Sequence, residues 1–359
     1  MPSLVFAYPG DLDTPTGGYV YDRRIIGELR AAGWTIDLCP LGDGFPFPSA
    51  RTLMEAEARL SALPEGSDVV IDGLAYGVMG SAARRLRTRL NITALVHHPL
   101  CYETGLDPAV ARHLQQSEQR ALAAARTIIV TSPATARQLK DGFDLTGREI
   151  HIICPGTDRP TDLDAPKLEE AGELVRLLTV GTITPRKGYD LLVEALAALT
   201  GQAWTLDVVG DTTRDPDCFA DLETRIKQAG LSARIRFHGA LPETEIAAFY
   251  RRSDVFVLAS RYEGYGMAYM EAIAYGLPVI GSGDGAVADT LPKEAAIYCG
   301  TEDIEALHAA LRRLLTEPAA RNQLARGARD AVERLPTWRG AADAFAAAVL
   351  HPASAEPGA

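Results

Sequence analysis

Two glutamates flank a glycine-containing turn in the segment 260–277, SRYEGYGMAYMEAIAYGL. Glu263 lies in a predicted loop at 262–266, and Glu271 lies in the helix predicted to follow at 267–275. The first turn of a helix carries unpaired backbone N–H groups and the positive end of the helix dipole, which together favour phosphate. A fully helical segment would hold the two carboxylates ~12 Å apart, a span that suits hydroxyls at both ends of a diphosphate-bridged ligand. The pattern therefore indicates a nucleotide sugar.

A second group of reactive residues follows the strand predicted at 175–180. The chain continues there as GTITPRKG, with Gly181 at the strand end and Arg186 beside Lys187. Open parallel sheets bind ligands beyond the carboxyl ends of their strands, which is where this segment lies. Glycine lets the backbone approach a ligand closely, and two adjacent cations can neutralise charge that develops on a departing diphosphate. We therefore predict that Arg186 and Lys187 are catalytic.

Polar residues also follow predicted strands in the first half of the chain. Gly17 and Gly18 open the helix after the first strand, where free backbone N–H groups can face an anion or a sugar. His97 and His98 follow the strand at 92–96, and Glu103 comes shortly after them. A histidine at the edge of a cleft can hydrogen-bond a sugar or an acceptor near neutral pH. Either histidine could make such a contact, and we predict His98 and Glu103 as acceptor contacts, while a structural role for either histidine stays open, as does which of them faces the cleft.

These motifs resemble those of the retaining glycosyltransferases of family 4. The run EGYGMAYME is similar to the paired-glutamate E-x7-E motif of that family, and Lys187 matches its phosphate-binding G-x-x-x-x-(R)-K-G segment. The resemblance implies that Glu271 binds the ribose of the donor and that Glu263 contacts the transferred sugar. The chain departs from the pattern at Thr182, where many members have arginine, so Arg186 would supply the second cation.

The resemblance extends the predicted site to less distinctive segments. HGALP at 238–242 is similar to the segment that contacts the base of the donor, and the strand equivalent to 92–96 often ends in histidine. The predicted catalytic residues are Arg186, Lys187, Glu263 and His97. The predicted donor contacts are Gly17, Gly18, Gly181, Thr182, His238, Leu241, Tyr265, Gly266, Met267 and Glu271.

We predict neither a metal nor an organic cofactor. The tripeptides at 11–13 and 215–217 look like D-x-D metal motifs, but both lie in sequences typical of turns. The five cysteines form no C-x-x-C pair, which disfavours a zinc site and a disulfide framework. The resemblance implies the same, since enzymes of family 4 are generally metal-independent.

The elements that position these residues alternate between apolar β-rich runs and amphipathic helices, which is typical of parallel sheets covered by helices. A helix predicted at 19–32 joins the first two strands. The predicted strands are 4–8, 34–38, 69–71, 92–96, 128–131, 151–153, 175–180, 205–209, 235–237, 255–258, 279–280 and 296–298. The expected class is α/β, and the resemblance implies the GT-B architecture, in which two Rossmann-like doubly wound domains face each other across a cleft.

A proline-rich and charged segment at 155–173 is interpreted as the linker between two domains. We predict an N-terminal acceptor-side domain at 1–160 and a C-terminal donor-binding domain at 174–335. The segment 336–350 resembles the terminal helix that returns to the first domain in GT-B proteins. The small polar residues at 352–359 are expected to be disordered.

Charge and hydropathy limit the partners of the chain. The formal net charge of −11 argues against general affinity for nucleic acid, and no apolar run is long enough to cross a bilayer. The first apolar run, 3–9, is too short for a signal peptide, so we expect a cytoplasmic protein. A basic helix predicted at 81–90 could contact anionic lipid at the inner membrane face, although a solvated helix face is the alternative. Its cations are Arg84, Arg85, Arg87 and Arg89.

Together the motifs predict a retaining glycosyltransferase that moves a hexose from a UDP- or GDP-sugar to a hydroxyl acceptor, whether glycolipid, polysaccharide or small molecule. A nucleotide-sugar 2-epimerase of the same fold and a catalytically silent sugar-nucleotide-binding protein remain alternatives. An NAD-dependent oxidoreductase is disfavoured because the first strand is not followed by G-x-G-x-x-G. The sequence leaves the sugar, the base, the acceptor and the oligomeric state open.

Overall fold

The structure is a computed structural model that describes residues 1–103, 105–160 and 174–350. The chain forms two compact units, of which the first comprises Met1–Gly156 and the chain from Pro336, and the second comprises Thr157–Leu335. Most of the segment predicted as a linker, from 161 to 173, lies outside the described residues. The terminal residues 352–359, for which disorder was predicted, also lie outside them.

The first unit is a parallel six-stranded sheet with the order β2-β1-β3-β4-β5-β6. In chain order its elements up to the second unit are β1 (Ser3–Tyr8), α1 (Gly17–Ala31), β2 (Thr35–Pro40), α2 (Ala50–Ser61), β3 (Asp68–Asp72), α3 (Gly73–Tyr76), α4 (Gly80–Leu86), β4 (Asn91–Val96), α5 (Pro108–Leu122), β5 (Thr127–Val130), α6 (Pro133–Gly142) and β6 (Ile150–Ile152). Helix α1 buries Tyr21, Ile25, Ile26 and Leu29, which recur at the spacing of one helix face.

The second unit is also a parallel six-stranded sheet, with the order β14-β12-β10-β7-β8-β9. Its elements are β7 (Val175–Val180), α7 (Tyr189–Ala197), β8 (Trp204–Val209), α8 (Pro216–Gln228), β9 (Ile235–Phe237), α9 (Glu243–Arg252), β10 (Val255–Leu258), β11 (Tyr262–Glu263), α10 (Met267–Ala274), β12 (Val279–Gly281), β13 (Asp284–Gly285), α11 (Val287–Thr290), β14 (Ala296–Tyr298), α12 (Ile304–Thr316) and α13 (Pro318–Val332). The last helix, α14 (Trp338–Leu350), belongs to the first unit and packs against α1, where the rings of Trp338 and Tyr21 lie 6.0 Å apart.

The α/β class and the two doubly wound sheets predicted from the sequence are confirmed. All twelve predicted strands are present, each to within two residues at either end. The four residues of β10 are all buried, as expected for a strand in the middle of a parallel sheet that is covered by helices.

Two local predictions were wrong. The segment 262–266 was predicted as a loop, yet Tyr262 and Glu263 form the short strand β11, which pairs with β13 in a separate two-stranded sheet. The basic helix predicted at 81–90 ends at Leu86, so Arg87 and Arg89 lie beyond it. This shorter helix does not present all four arginines on one amphipathic face.

The arginines of this segment also make contacts within the first unit. Arg85 binds both carboxylate oxygens of Glu57, at 2.6 and 2.7 Å. Among the described residues, no helix has the length and apolar character needed to span a bilayer. Membrane contact through this segment stays a prediction.

Candidate active site

The predicted catalytic residues of the second unit lie where its strand order reverses. From β7 the chain builds the sheet outward through β8 and β9, and from β10 it builds the other side through β12 and β14. The loops after β7 and β10 therefore diverge and leave a crevice at the carboxyl ends of the strands, the usual ligand site of such sheets. Arg186 and Lys187 follow β7, and Glu263 follows β10.

An ion pair joins these two loops. Lys187 Nζ lies 2.6 Å from Glu263 Oε1, which also accepts a hydrogen bond from Ser260 Oγ at 2.6 Å. Arg186 NH1 donates to the carbonyl of Tyr262 at 2.8 Å and lies 3.5 Å from the other Glu263 oxygen. Glu263 is only 6% exposed. Two cations thus share one buried carboxylate.

The pKa shifts of the pair follow from its burial. Burial lowers the pKa of Lys187 and nearby Arg186 lowers it further, while Glu263 and, more weakly, Glu271 oppose the change. Burial alone would raise the pKa of Glu263, but Lys187 and Arg186 reverse this and hold it below its usual value. An anion that entered the crevice could form ion pairs with Lys187 and Arg186 in place of those that they make with the Glu263 carboxylate.

Glycines at two positions make room for the ion pair, and one of them, Gly188, lets the two loops approach each other. Gly188 has φ +61°, and a Cβ there would lie 1.9 Å from the carbonyl oxygen of Ala259. A Cβ on Gly181 would lie 3.3 Å from Lys187 Cε. The space beside Gly181, predicted to admit a ligand, is thus occupied in this structure by the stem of Lys187. Thr182, the next residue, is half-buried.

Glu271 lies on α10, whose N-cap is Gly266 with φ +91°. Its Oε2 accepts a hydrogen bond from Tyr250 OH at 2.8 Å. Because the buried Tyr250 ring also stacks on Tyr275 at 5.1 Å, it forms a rigid support for the carboxylate. Of the other predicted donor contacts on this segment, Tyr265 is buried and Met267 is half-buried.

The predicted base-contacting segment is anchored by its histidine. His238 Nε2 lies 2.6 Å from Asp207 Oδ1 on β8, and the imidazole packs edge-on against Phe249 of α9 at 4.5 Å. Leu241, three residues on, is half-buried. The His238 side chain therefore packs against β8 and α9 of the second unit.

In the first unit, the structure brings His97 and Gly18 together. A Cβ on Gly18 would lie 3.3 Å from His97 Cδ2, so the glycine makes room for the imidazole. Gly17 is the exposed first residue of α1. His98 is half-buried, and Glu103 is exposed at the end of the 3₁₀ turn Leu100–Tyr102.

His97 also meets two carboxylates. Its Nε2 lies 3.1 Å from Asp22 Oδ1 and 3.4 Å from Asp72 Oδ2. The three atoms lie within 4.8 Å of one another, close enough to hold a metal ion, but the two distances from Nε2 are also those of hydrogen bonds. The two D-x-D sequences make turn contacts instead, since Asp215 accepts from Cys218 N and Asp11 accepts from Asp13 N.

Sequence reasoning missed several partners of the predicted residues. Asp72 ends β3, so the rule that ligands lie beyond strand ends could have identified it. Asp22 gives no such signal, because it lies within a helix and only the packing shows that its side chain is buried. Ser260 and Tyr250 likewise support Glu263 and Glu271 through contacts that the sequence does not mark.

A buried carboxyl holds the turn that follows His98. Glu118 is 1% exposed and accepts a hydrogen bond from Leu100 N at 3.0 Å, while its Oε1 is buried without a hydrogen-bond partner among the described residues. Burial raises the pKa of Glu118 to about 8, although the bond from Leu100 opposes this. The side chain is therefore largely protonated at neutral pH.

Glu118→Gln should remove a pH-dependent loss of stability. The raised pKa means that the unfolded chain releases the proton first, so wild-type stability falls as pH rises from about 4.5 to about 8, by roughly 4 kcal/mol. Glutamine keeps an acceptor for Leu100 N and cannot ionise, so its pH profile should lack this fall. Urea unfolding at pH 5 and pH 9 measures the difference, with the exposed Glu103→Gln as control. Parallel profiles for wild type and Glu118→Gln would contradict the prediction.

Two family models of glycosyltransferases match parts of this chain. The model described as glycosyl transferases group 1 matches residues 161–331, and the model described as glycosyltransferase family 4 matches residues 38–159. Mannosylfructose-phosphate synthase of Agrobacterium fabrum is 26% identical over 62% of this chain and 52% of its own length. D-inositol 3-phosphate glycosyltransferase of Kineococcus radiotolerans is 31% identical over 60% of this chain and 55% of its own length. The matched region thus spans about half the length of these curated relatives.

Solved structures match over nearly the whole chain. Sucrose-phosphate synthase from Thermosynechococcus elongatus has a TM-score of 0.77 at 23% identity and covers 95% of this chain and 97% of its own. Anabaena HepE, solved in complex with UDP and glucose, has a TM-score of 0.73 at 15% identity, covering 96% and 99%. At these identities the likeness shows the fold. A glycosyltransferase family model matches part of each half of the chain, and the solved structures share its fold, so this chain has the GT-B fold of two Rossmann-like domains and is similar in sequence to glycosyltransferases of the family 4 type.

Proposed function

We propose that this protein is a metal-independent, retaining glycosyltransferase that moves a hexose from a UDP- or GDP-sugar to a hydroxyl acceptor. The observation that carries the proposal is the buried Lys187–Glu263 ion pair at the point where the strand order of the second unit reverses. Two cations, a carboxylate and the start of α10 meet there, which matches the needs of a sugar diphosphate.

Donor binding would rearrange this ion pair. The diphosphate takes hydrogen bonds from Lys187 and Arg186 and lies near the start of α10, where the helix dipole favours negative charge. Glu263, released from Lys187, then accepts hydrogen bonds from hydroxyls of the hexose. Glu271, supported by Tyr250, accepts them from the ribose. Under this proposal the second unit is the donor-binding domain and the first unit holds the acceptor.

The transfer step needs no protein nucleophile. The acceptor oxygen attacks the anomeric carbon on the face from which the diphosphate leaves, a carbon–oxygen bond to the acceptor forms, and the bond to the phosphate oxygen breaks. The proton of the acceptor passes to the departing phosphate oxygen. Arg186 and Lys187 stabilise the negative charge that develops there, which is the main contribution of the protein to the rate.

The names of the relatives and solved neighbours support a nucleotide-sugar donor and include several different classes of acceptor. One solved neighbour is a complex with UDP and glucose. The names of the curated relatives include a mannosylfructose-phosphate synthase, a glycogen synthase and an inositol-phosphate glycosyltransferase. Small phosphorylated sugars and a polysaccharide therefore both belong in an acceptor screen.

The test combines a thermal-shift screen of UDP-, GDP- and ADP-sugars with assays of transfer. A bound donor raises the melting temperature by mass action, and the stabilising donor is then incubated with acceptors in the presence of EDTA. We expect a product whose anomeric configuration, read by NMR, is that of the donor. An inverted product or a rate abolished by EDTA would contradict the mechanism. Epimerised donor formed without acceptor would favour the 2-epimerase, and binding without turnover would favour the silent binding protein.

A further inference from the structure

We propose that Asp22, together with Asp72, is a positioning residue that holds His97 as an imidazolium and leaves its Nδ1–H to donate to an oxygen of a bound ligand. The inference deepens the proposed function, because it assigns His97 the role of a charged donor. It equally excludes His97 as the general base of the transfer.

The geometry at Nε2 places one of the two ring protons. Nε2 faces Asp22 Oδ1 at 3.1 Å and Asp72 Oδ2 at 3.4 Å, and above about pH 7, where Asp22 is ionised, its carboxylate can only accept a hydrogen bond. Nε2 must therefore carry a proton. Asp72 is itself held in place, since its Oδ1 accepts from Leu74 N at 2.7 Å.

One edge of the imidazole is held by α1. Gly18 lies against Cδ2, and the ring of Tyr21 packs edge-on at 5.3 Å with an interplanar angle of 78°. The His97 side chain is 22% exposed, and this exposure must come largely from the opposite edge, which carries Nδ1 and Cε1. Nδ1 is thus the ring nitrogen available to a ligand.

The charges around His97 favour its doubly protonated form. Burial by itself lowers the pKa of His97, but Asp22 and Asp72 outweigh it and raise the pKa to about 10. Burial raises the pKa of Asp22 to about 7, and Asp72 adds to this while His97 opposes it. Among the residues that the structure describes, Tyr21 and Asp22 of α1 and Asp72 of β3 face the imidazole.

The burial and hydrogen bonding of Asp22 agree with a role in positioning His97. It is completely buried, and its Oδ2 has no hydrogen-bond partner among the described residues. Burying a carboxylate in this way is costly unless a cation lies beside it, and the cation here is the imidazolium. An imidazolium cannot accept a proton, which agrees with a mechanism in which the departing phosphate does so.

The experiment follows His97 directly by NMR in the full chain with labelled histidine. In the wild type, His97 should remain an imidazolium up to about pH 9, and in Asp22→Asn its midpoint should fall by about 2 pH units. Asp37→Asn, an exposed change in the same sheet, is the matched control and should leave the midpoint unchanged. Asp72→Asn provides a second variant should Asp22→Asn fail to fold. A wild-type midpoint near 6.5, or a midpoint unmoved by both variants, overturns the inference.

Kinetics distinguish a positioning role from a merely structural one. With a donor and acceptor from the screen above, kcat/KM of Asp22→Asn should fall at alkaline pH with the His97 midpoint, while the wild type stays level to about pH 9. A shifted midpoint without a shifted kinetic profile overturns the donor role. Stoichiometric metal in the purified wild type, lost in Asp22→Asn, would show that the cluster binds a cation instead. The NMR titration needs no turnover, so failure of the proposed function is distinguishable from failure of this inference.

Discussion

Lys187→Met is expected to lower kcat/KM for sugar transfer by about 10³-fold. The ammonium is the group that would meet the charge on the departing diphosphate, and it already lies 2.6 Å from the buried Glu263 carboxylate. Methionine keeps an apolar stem of similar length beside Gly181, so the change removes the charge with little loss of packing. Steady-state kinetics and calorimetric titration of the donor measure the effect.

The same substitution has a cost in stability that must be separated from the loss of transfer. Without Lys187, Glu263 stays buried with Arg186 at 3.5 Å, and we expect a loss of about 3 kcal/mol. The double variant Lys187→Met/Glu263→Gln should recover much of the stability and none of the transfer. Lys227→Met, an exposed lysine in the same unit, is the control and should match the wild type. Transfer by Lys187→Met within tenfold of the wild type would refute the role of the cation.

Gly188→Ala is expected to destabilise the second unit by about 3 kcal/mol or more. The residue has φ +61°, and the new Cβ would lie 1.9 Å from the carbonyl oxygen of Ala259. Because that oxygen belongs to backbone, the loop that carries Lys187 would have to move away from the loop that carries Glu263. Urea unfolding should show the loss, and any folded variant should also bind the donor more weakly.

Gly201→Ala is the matched control for this change. A Cβ at Gly201 has no atom within 4 Å, and its φ lies outside the left-handed region. The control should therefore unfold within a few tenths of a kcal/mol of the wild type. Equal stabilities for the Gly188 and Gly201 variants would mean that the two loops do not constrain each other as the structure shows.

The strands were predictable because parallel sheets covered by helices bury their strands on both faces. Such strands are short runs in which apolar residues predominate, as in the continuous VFVL of β10 or VRLLTV of β7, and each is bounded by polar or glycine-containing turns. The two missed strands, β11 and β13, have two residues each and no apolar pattern. They pair with each other outside the main sheet, and this pairing depends on the course of two loops that the local sequence does not define.

The end of the basic helix at Leu86 was also not predictable from local sequence. The run of arginines favours helix over the whole of 81–90, since arginine is a good helix former. In the structure, Arg89 lies in the turn that leads to β4, and its backbone carbonyl accepts a hydrogen bond from Gly66 N. The requirement to enter the next strand, a tertiary constraint, ended the helix earlier than local propensity predicts.

By itself, the sequence determined the alternation of strands and helices and the chemical identity of the candidate groups, since both follow from residue types at short range. Only the tertiary structure decided which groups act on one another. Lys187 and Glu263 are 76 residues apart in the chain, and His97 and Asp22 are 75 apart. The charge state of each depends on burial and on these distant partners, because a pKa responds to the solvent and charges around a group in space.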